Sequence, residues 1–302
     1  MSHPRPDEFS FRRYLAAKRT VDDRALHRPT LTRLTDAVAD RETLRVLDVA
    51  AGLGTGLQRL LDWDCLPDRL DYTLVDIDSA TLDAARDRLL AWAAEQGYTM
   101  STGDEERETF ELTRDAESVT VRFVSTDALT YAAATDDRFD LLVGQAFLDL
   151  VDLDKGLPAL LELVADGGLA YFPITFDGVT HLSPVSDPDL DQSILDAYHA
   201  TMDDADRPGG STTGREVLDM VAHGETTTLV AAGGSDWVVH PPYPADEAYF
   251  LHHLVDTIAG AVAGDLSEER RRAWADARHD AVAAAELTFL AHNVDVLARV
   301  RR

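Results

Sequence analysis

Two apolar segments of the sequence each end in an aspartate whose carboxylate could bind a ligand. LRVLDVA (44–50) contains Asp48 and runs into the glycine-rich turn AGLGTG, and LDYTLVDID (70–78) contains Asp76. Both segments are typical of buried parallel strands, whose carboxyl ends meet at the crevice where open α/β sheets bind ligands. Because a carboxylate there can accept hydrogen bonds from both hydroxyls of a ribose, the pattern indicates a site for a ribose-containing ligand.

The spacing of the glycines narrows the kind of ligand. A dinucleotide-binding turn, G-x-G-x-x-G/A, that began at Gly52 would need glycine or alanine at the position that Leu57 occupies. A phosphate-binding loop would end in G-K-[ST], which is absent here. Since a pyrophosphate needs a close approach to the following helix, we expect a ligand without phosphates. A nicotinamide-dependent oxidoreductase is therefore disfavoured.

Strand and helix patterns alternate through the first part of the chain. Continuous apolar runs predict strands at 44–50, 70–78, 119–129, 139–147 and 169–176. Their alternation with helices at the spacing of βαβ units predicts a doubly wound parallel sheet. Residues 10–40 are predicted to be helical with a break near Pro29, and the polar segment 97–118 to be a loop or an exposed hairpin.

The second half is less regular. The predicted helices are at 192–202, 213–223, 246–262 and 267–285. A strand with a Gly-Gly irregularity is predicted at 226–240, and an edge strand at 286–300.

Taken in order, these segments resemble class I S-adenosylmethionine-dependent methyltransferases. The first strand of that family ends in D/E-x-G-x-G-x-G, which matches residues 48–54 with Ala50 in place of the first glycine. The family's ribose-binding acid after the second strand matches Asp76, and its acid beside the adenine matches Asp127. The position that faces the methyl group falls at 144–146, and the Gly-Gly before strand five at 166–168.

The resemblance covers about residues 40–176, and 211–300 fit the family's last helix and antiparallel strand pair. It implies a mostly parallel seven-stranded α/β sheet with N-terminal helices and a helical insertion after strand five. Residues 1–40 would form a helical cap and 41–302 the S-adenosylmethionine-binding domain. Within that domain, 177–210 and 241–285 would be insertions that form a substrate lid.

The implied cofactor is S-adenosyl-L-methionine. The residues expected to bind it are Asp48, Ala50, Gly52, Gly54, Asp76, Ile77, Asp127, Ala128 and Gln145.

The implied reaction is in-line transfer of a methyl group to a small-molecule acceptor. Tyr14, Tyr198 and Arg215 are candidates for acceptor binding, and His199 and His240 are candidate general bases, because histidine titrates near neutral pH. The alternatives are a protein or RNA methyltransferase and a non-catalytic scaffold that binds S-adenosylmethionine. The sequence GQAF replaces the N/D-P-P-Y/F motif of enzymes that methylate exocyclic or glutamine amines, and Cys65 lies outside any Pro-Cys nucleophile motif.

Composition limits the partners and the location. The 302 residues carry a formal charge of −27, with acidic residues along the whole chain and no basic stripe that would bind nucleic acid. No apolar run reaches the roughly 18 residues that cross a membrane, and the first residues lack the apolar core of a signal peptide. We therefore expect a cytoplasmic protein, a monomer or homodimer, that binds neither membranes nor nucleic acid and holds no metal.

The acidic surface predicts a dependence on salt. An aspartate-rich chain with only two lysines, Lys18 and Lys155, resembles proteins from salt-loving organisms, in which salt screens the self-repulsion. We expect the free energy of unfolding, measured by urea denaturation, to be at least ~2 kcal/mol higher in about 2 M KCl than in about 0.1 M KCl. An unchanged or lower value in concentrated salt would contradict the halophilic assignment.

Overall fold

The computed structural model describes residues 3–102, 109–185, 187–204, 207–264 and 266–302. Its strands are β1 (Leu44–Val49), β2 (Arg69–Asp76), β3 (Thr99–Thr102), β4 (Thr109–Arg114), β5 (Glu117–Ser125), β6 (Phe139–Val143), β7 (Val164–Ser183), β8 (Thr227–Gly234), β9 (Trp237–Val239) and β10 (Thr288–Val300). Its helices are α1 (Phe11–Ala17), α2 (Arg19–Ala25), α3 (Arg28–Val38), α4 (Thr55–Asp62), α5 (Ser79–Glu95), α6 (Ala128–Ala134), α7 (Leu153–Leu161), α8 (Pro188–Met202), α9 (Thr213–His223), α10 (Glu247–Ala261) and α11 (Glu268–Ala283). A 3₁₀ turn, Leu148–Leu150, follows β6.

One mixed sheet organises the described residues, with the strand order β3-β4-β5-β2-β1-β6-β7-β10-β8 and with β9 paired to β10. β5, β2, β1, β6 and β7 pair in parallel, so the doubly wound, mostly parallel α/β fold is confirmed. The strand predicted at 226–240 is interrupted after Gly234 and forms β8 and β9. The predicted hairpin appears as the antiparallel strands β3 and β4, and the part of it at 103–108 lies outside the described residues.

The strand order reverses at β1, and this reversal positions the ligand crevice. The chain continues from β1 to β2 and β5 on one side and reaches β6 and β7 on the other side. Asp48 is aligned with Leu74 of β2 and with Val143 of β6. A sheet that reverses its winding at such a switch point opens a crevice at the carboxyl ends of the central strands.

Alternate residues of β1 pack into the two layers of helices. Leu44 and Val46 belong to one apolar core, and Leu47 and Val49 belong to the core on the opposite face. All four side chains are fully buried, as expected for a central parallel strand. Asp48 follows the alternation of Leu44 and Val46, so its carboxylate lies on the face that α4 and α5 cover.

Two sequence predictions about the last strands are wrong. The segment predicted as an edge strand is β10, which is hydrogen-bonded on both sides because Val296 lies opposite Phe172 of β7 and Ala232 of β8. The chain returns into the sheet before it ends, so β8 takes the edge position. Gly167 and Gly168 do not precede the fifth strand but lie inside β7. A Cβ at Gly168 would lie 2.9 Å from the carbonyl oxygen of Ala165, so only glycine allows this close backbone approach.

A separate apolar cluster lies beyond the crevice. It joins α1, α2, α8, α10 and α11 to the outer halves of β7 and β10, with Phe250 of α10 fully buried within it. The predicted lid segment 241–285 therefore forms much of this outer core. None of the helices in the described ranges is long and apolar enough to cross a membrane.

Asp295 of β10 connects its own strand to β7 and to the start of α3, and its replacement tests this connection. Its fully buried carboxylate accepts hydrogen bonds from the Tyr171 hydroxyl at 2.9 Å, from the Ile174 backbone N–H at 2.9 Å and from the His27 backbone N–H at 3.0 Å. Asp295→Ala leaves these donors unpaired and should lower the free energy of unfolding by about 3 kcal/mol or more in urea denaturation. The exposed Asp219 of α9 supplies the control Asp219→Ala, with an expected change below ~0.5 kcal/mol. Equal losses in the two variants would contradict this role.

Candidate functional site

A cleft of about 290 Å³ opens at the carboxyl ends of β1, β2, β5 and β6. The ends of these strands and the loops after them line the cleft, together with residues of α1 and Lys18. Its lining residues from the strands and loops include Asp48, Ala50, Gly52, Asp76, Ile77, Asp127, Ala128, Gln145 and Phe147. Those from the N-terminal helices and the segment between them are Phe11, Leu15 and Lys18. The cleft therefore gathers eight of the nine residues predicted to bind the cofactor, all except Gly54.

The turn after β1 adopts left-handed backbone conformations. Gly52 has φ of 53° and Gly54, which precedes α4, has φ of 66°. A Cβ at Gly54 would lie 3.2 Å from a methyl group of Leu74, so this glycine allows the turn to pack on β2. Ala50 also has a positive φ, 51°, although it carries a Cβ. The alanine thus adopts a conformation that glycine accepts readily, at a cost of about 1–2 kcal/mol.

Asp76 links the ends of β1 and β2. One carboxylate oxygen accepts the Gly52 backbone N–H at 2.8 Å, and the other accepts the Asp78 N–H at 3.0 Å. The contacts fix the orientation of the carboxylate at the wall of the cleft. Since each ionised oxygen has two acceptor sites, both oxygens can still accept a hydrogen bond from a ligand hydroxyl.

Asp48 is a buried carboxylate that accepts a hydrogen bond from the Tyr72 hydroxyl at 2.9 Å. Burial raises its pKa to about 7, while the hydrogen bond from Tyr72 and the charge of Arg59 act in the opposite direction. The neighbouring charge of Asp76 raises the pKa of Asp48 further. The carboxyl group can therefore change its protonation state near neutral pH when a charged ligand enters.

Asp127 and Ile77 also line the cleft. The Asp127 carboxylate caps α6 by accepting the backbone N–H groups of Leu129 at 3.0 Å and Thr130 at 2.9 Å. Ile77 follows β2, and its side chain is 74% exposed at the cleft rim. An apolar side chain so exposed is available to a flat, apolar ligand surface.

Gln145 is held on both sides by charged residues. Its amide nitrogen donates to Asp22 at 2.8 Å, and its amide oxygen accepts from the Arg59 guanidinium at 2.8 Å. Asp22 of α2 is fully buried and also accepts the Trp237 indole N–H at 3.0 Å, with the Lys18 ammonium at 3.4 Å. This network fixes the N-terminal helices against the sheet.

Three charged residues of this network, Lys18, Asp22 and Arg59, were not among the predicted site residues. The signal that could have revealed them is the charge pattern, because Lys18 is one of two lysines and lies one helical turn before Asp22. Arg59 lies among the apolar residues of α4, where a charged side chain needs a buried partner.

The remaining predicted residues are not brought together. The Nε2 atom of His199 lies 3.0 Å from the Thr180 hydroxyl, and burial lowers the pKa of His199. His240 is exposed and contacts the carbonyl oxygen of Pro241 at 2.8 Å. Arg215 is paired with Asp177 at 2.8 Å. None of these three residues lines the cleft, so the two predicted bases lie apart from the predicted cofactor residues.

Tyr14 and Tyr198 do not line the cleft either. Burial raises the pKa of Tyr198 to about 12, and the negative charge of Asp149 contributes to the increase. Burial also raises the pKa of Tyr14. The charges of Asp22 and Asp149 and the Tyr198 hydroxyl raise this pKa further. The two predicted acceptor-binding tyrosines thus share the neighbourhood of Asp149.

No protein-family model and no curated protein matches the sequence. Among solved structures, a proposed methyltransferase from Bacillus halodurans is similar over 91% of this chain and 100% of its own, with 13% identity and a TM-score of 0.52. The YcgJ protein from Bacillus subtilis aligns over 91% and 99% of the two chains, with 14% identity and a TM-score of 0.47. An S-adenosylmethionine-dependent methyltransferase from Thiobacillus denitrificans, crystallised with S-adenosyl-L-homocysteine, aligns over 92% and 93%, with 15% identity and a TM-score of 0.45. The likeness to the Bacillus halodurans structure shows that the chain has the mixed α/β, Rossmann-like fold that the sequence predicted.

Proposed function

We propose that the protein is an S-adenosylmethionine-dependent methyltransferase that acts on a small-molecule acceptor. The observation that carries the proposal is the meeting of Asp48, Asp76 and the glycine turn in one cleft at the switch point of the sheet. The predicted fold and the predicted cofactor residues therefore support the same assignment.

The cleft fits the groups of S-adenosylmethionine. This cofactor carries a ribose diol, an ammonium, a sulfonium and a carboxylate, and no phosphate. The acids that line the cleft are Asp48, Asp76 and Asp127, and Lys18 is the one cationic side chain among its described lining residues. A Cβ at Gly56 would lie 3.2 Å from the Asp48 carboxylate, so the glycine keeps space beside this carboxylate. Three acids suit a cationic ligand with a diol and disfavour a pyrophosphate.

The residues divide into roles along the cleft. Asp76 would accept the ribose hydroxyls, and Asp48 would lie with Ala50 at the amino-acid portion of the cofactor. Ile77, Asp127 and Ala128 would contact the adenine. Gln145, fixed by Asp22 and Arg59, would line the methyl end without moving on binding.

The bound cofactor supplies an activated methyl group, so the chain has to align the reactants and exclude water. Phe11, Leu15 and Lys18 wall the cleft from the cap region 1–40. We propose that this cap and the insertion 177–210, which brings Tyr198 towards Asp149, enclose the acceptor. A cleft enclosed in this way would favour a small molecule over a protein or nucleic acid. The acidic composition favours the same partner and, together with the scarcity of lysine, a cytoplasm rich in salt.

Removing the Asp76 carboxylate tests the cofactor assignment. Asp76→Ala should weaken binding of S-adenosylhomocysteine by about 1–3 kcal/mol, roughly 5- to 150-fold, because a charged hydrogen-bonding partner is lost. Isothermal calorimetry measures the change. The control Asp71→Ala removes an exposed acid at the opposite end of the same strand and should leave the affinity unchanged. Wild-type affinity in Asp76→Ala would show that the second strand does not bind the ribose.

The pKa of Asp48 predicts how binding depends on pH. A bound cationic ammonium favours the ionised carboxylate, so below pH about 7 binding should release a proton. The affinity for S-adenosylhomocysteine should rise by up to about tenfold per pH unit towards pH 7 and then level off. Asp48→Asn should remove this dependence, whereas the exposed Asp40→Asn should keep it. Calorimetry in two buffers of different ionisation enthalpy counts the released protons, and zero protons at pH about 6 would contradict the role of Asp48.

A further inference from the structure

Two buried histidines of the outer core face each other through the same ring nitrogen. His252 of α10 is 1% exposed and His279 of α11 is 4% exposed. Their Nδ1 atoms lie 2.8 Å apart, which is the distance of a hydrogen bond. The contact is attractive only when one proton lies between the two nitrogens, because two lone pairs or two N–H groups repel each other.

The Nε2 atoms fix the orientation of both rings. Nε2 of His252 lies 2.9 Å from the carbonyl oxygen of His3, and Nε2 of His279 lies 3.2 Å from a carboxylate oxygen of Asp256. Both oxygens are acceptors, so each Nε2 atom acts as the donor. One further proton between the Nδ1 atoms then satisfies all four ring nitrogens, whereas a second would bring two N–H groups together. The pair therefore has a place for a single positive charge.

Charged groups from three elements face the pair. Arg5 of the N-terminal segment forms an ion pair with Asp256 of α10 at 2.8 Å, and Asp276 of α11 lies 3.7 Å from the same guanidinium. Burial lowers the pKa of both histidines, and the charge of Arg5 lowers both further. The charge of Asp256 acts in the opposite direction, and the side chain of His3 lowers the pKa of His252. Near neutral pH the second proton is therefore excluded.

The pair contacts the N-terminal segment, residues 3–9, which runs over α10 and α11. The backbone N–H of His3 donates to the carbonyl oxygen of Ala283 at 3.1 Å, and the carbonyl oxygen of His3 accepts from His252. The Arg5 guanidinium donates to Asp256 at 2.8 Å. The histidine pair thus holds the first residues of the segment from below through His252 and, through Asp256, supports the partner of Arg5.

The segment leads directly into the helix that borders the cleft. Phe9 packs against the rings of Tyr249 and His253, with ring centroids 5.6 Å and 5.7 Å away. Burial lowers the pKa of His253 as well. The next residues belong to α1, whose Phe11 and Leu15 line the cleft. The attachment of residues 3–9 therefore supports the cap at its N-terminal end.

Protonation and attachment are coupled through the His252 ring. This ring cannot turn its Nδ1 atom away from His279 while its Nε2 atom donates to the carbonyl oxygen of His3. A second proton on the pair therefore requires that the ring leaves this carbonyl oxygen. Once the segment is released, water reaches both rings, and each takes a proton near the ordinary pKa of about 6.5.

We propose that the His252–His279 pair is an acid-sensitive latch, which holds the N-terminal segment on α10 and α11 at neutral pH and releases it in acid. The attached state holds at most one extra proton and the released state holds two. Attachment is therefore favoured above pH about 6.5 and weakens as the pH falls below it. The ratio of released to attached segment should rise by up to about tenfold per pH unit in that range.

The fluorescence anisotropy of a dye on the segment measures its release. Asp7→Cys places a pH-insensitive dye at an exposed position, and the single native cysteine, Cys65, is buried. We expect high anisotropy at pH about 7.5 and a fall between pH about 6.5 and about 5. Near-UV circular dichroism, which reports the packing of the remaining fold, should stay constant over the same range.

His279→Asn should remove the acid response, because an amide can donate to His252 or accept from it in either protonation state. The segment then stays attached at pH about 5. His252→Gln is a second variant with the same expectation, since its amide can donate to the carbonyl oxygen of His3 and accept from His279. His223→Asn replaces an exposed histidine at the end of α9 and is the matched control, which should release the segment as the wild type does.

Three results would overturn the latch. These are a constant wild-type anisotropy down to pH about 5, a fall that coincides with loss of the near-UV signal, and an equal fall in the folded His279→Asn or His252→Gln variant. Ligand binding plays no part in these measurements, so the latch and the proposed function are tested separately.

Discussion

The parallel pairing of β1 with β2 on one side and with β6 on the other is the constraint on which the site depends. Because the apolar side chains of β1 are buried on both faces and the strand pairs with β2 and β6 along its two edges, the place where it ends is fixed by the sheet. The register brings Asp48 level with Leu74 and Val143, and Asp76 follows one residue beyond the pair Val49 and Val75. The acids therefore meet because the strands pair in register, with the glycine turn held between them by the Asp76 carboxylate.

The second constraint is the attachment of the N-terminal helices. Asp22 is fully buried, and its carboxylate accepts hydrogen bonds from Trp237 and Gln145. It also forms an ion pair with the Lys18 ammonium. One carboxylate thus joins α2, the end of β6 and the start of β9. A buried charge of this kind is stable only when its partners are all in place, so the cap, the cleft wall and Gln145 have to assemble together. The cap and the wall of the cleft are consequently parts of one packed unit.

Sequence patterns predicted the strands and turns near the cleft better than the elements remote from it. Asp48, Gly52 and Asp76 were predictable because a continuous apolar strand followed by an acid or a glycine turn is a local pattern. The position of β10 was not, since the choice between edge and centre depends on its pairing with β7 and β8, which are distant in the sequence. Asp22 and Arg59 were not predicted for a similar reason, because their hydrogen-bond partners Gln145 and Trp237 are distant in the sequence. Only the four-residue spacing of Lys18 and Asp22 is a local signal. His199 and His240 were chosen by residue type alone, and type does not determine where a side chain lies.

Our central claim is that this cleft binds S-adenosylmethionine. The resemblance to a methyltransferase family and the geometry of the cleft both support it. The most direct measurement is a calorimetric titration of the full chain in about 2 M KCl with S-adenosylmethionine, S-adenosylhomocysteine and, as a control, NADH. We expect saturable binding of both sulfur ligands at one site and no binding of NADH. Binding of NADH alone, or of none of the three by protein shown to be folded, would contradict it.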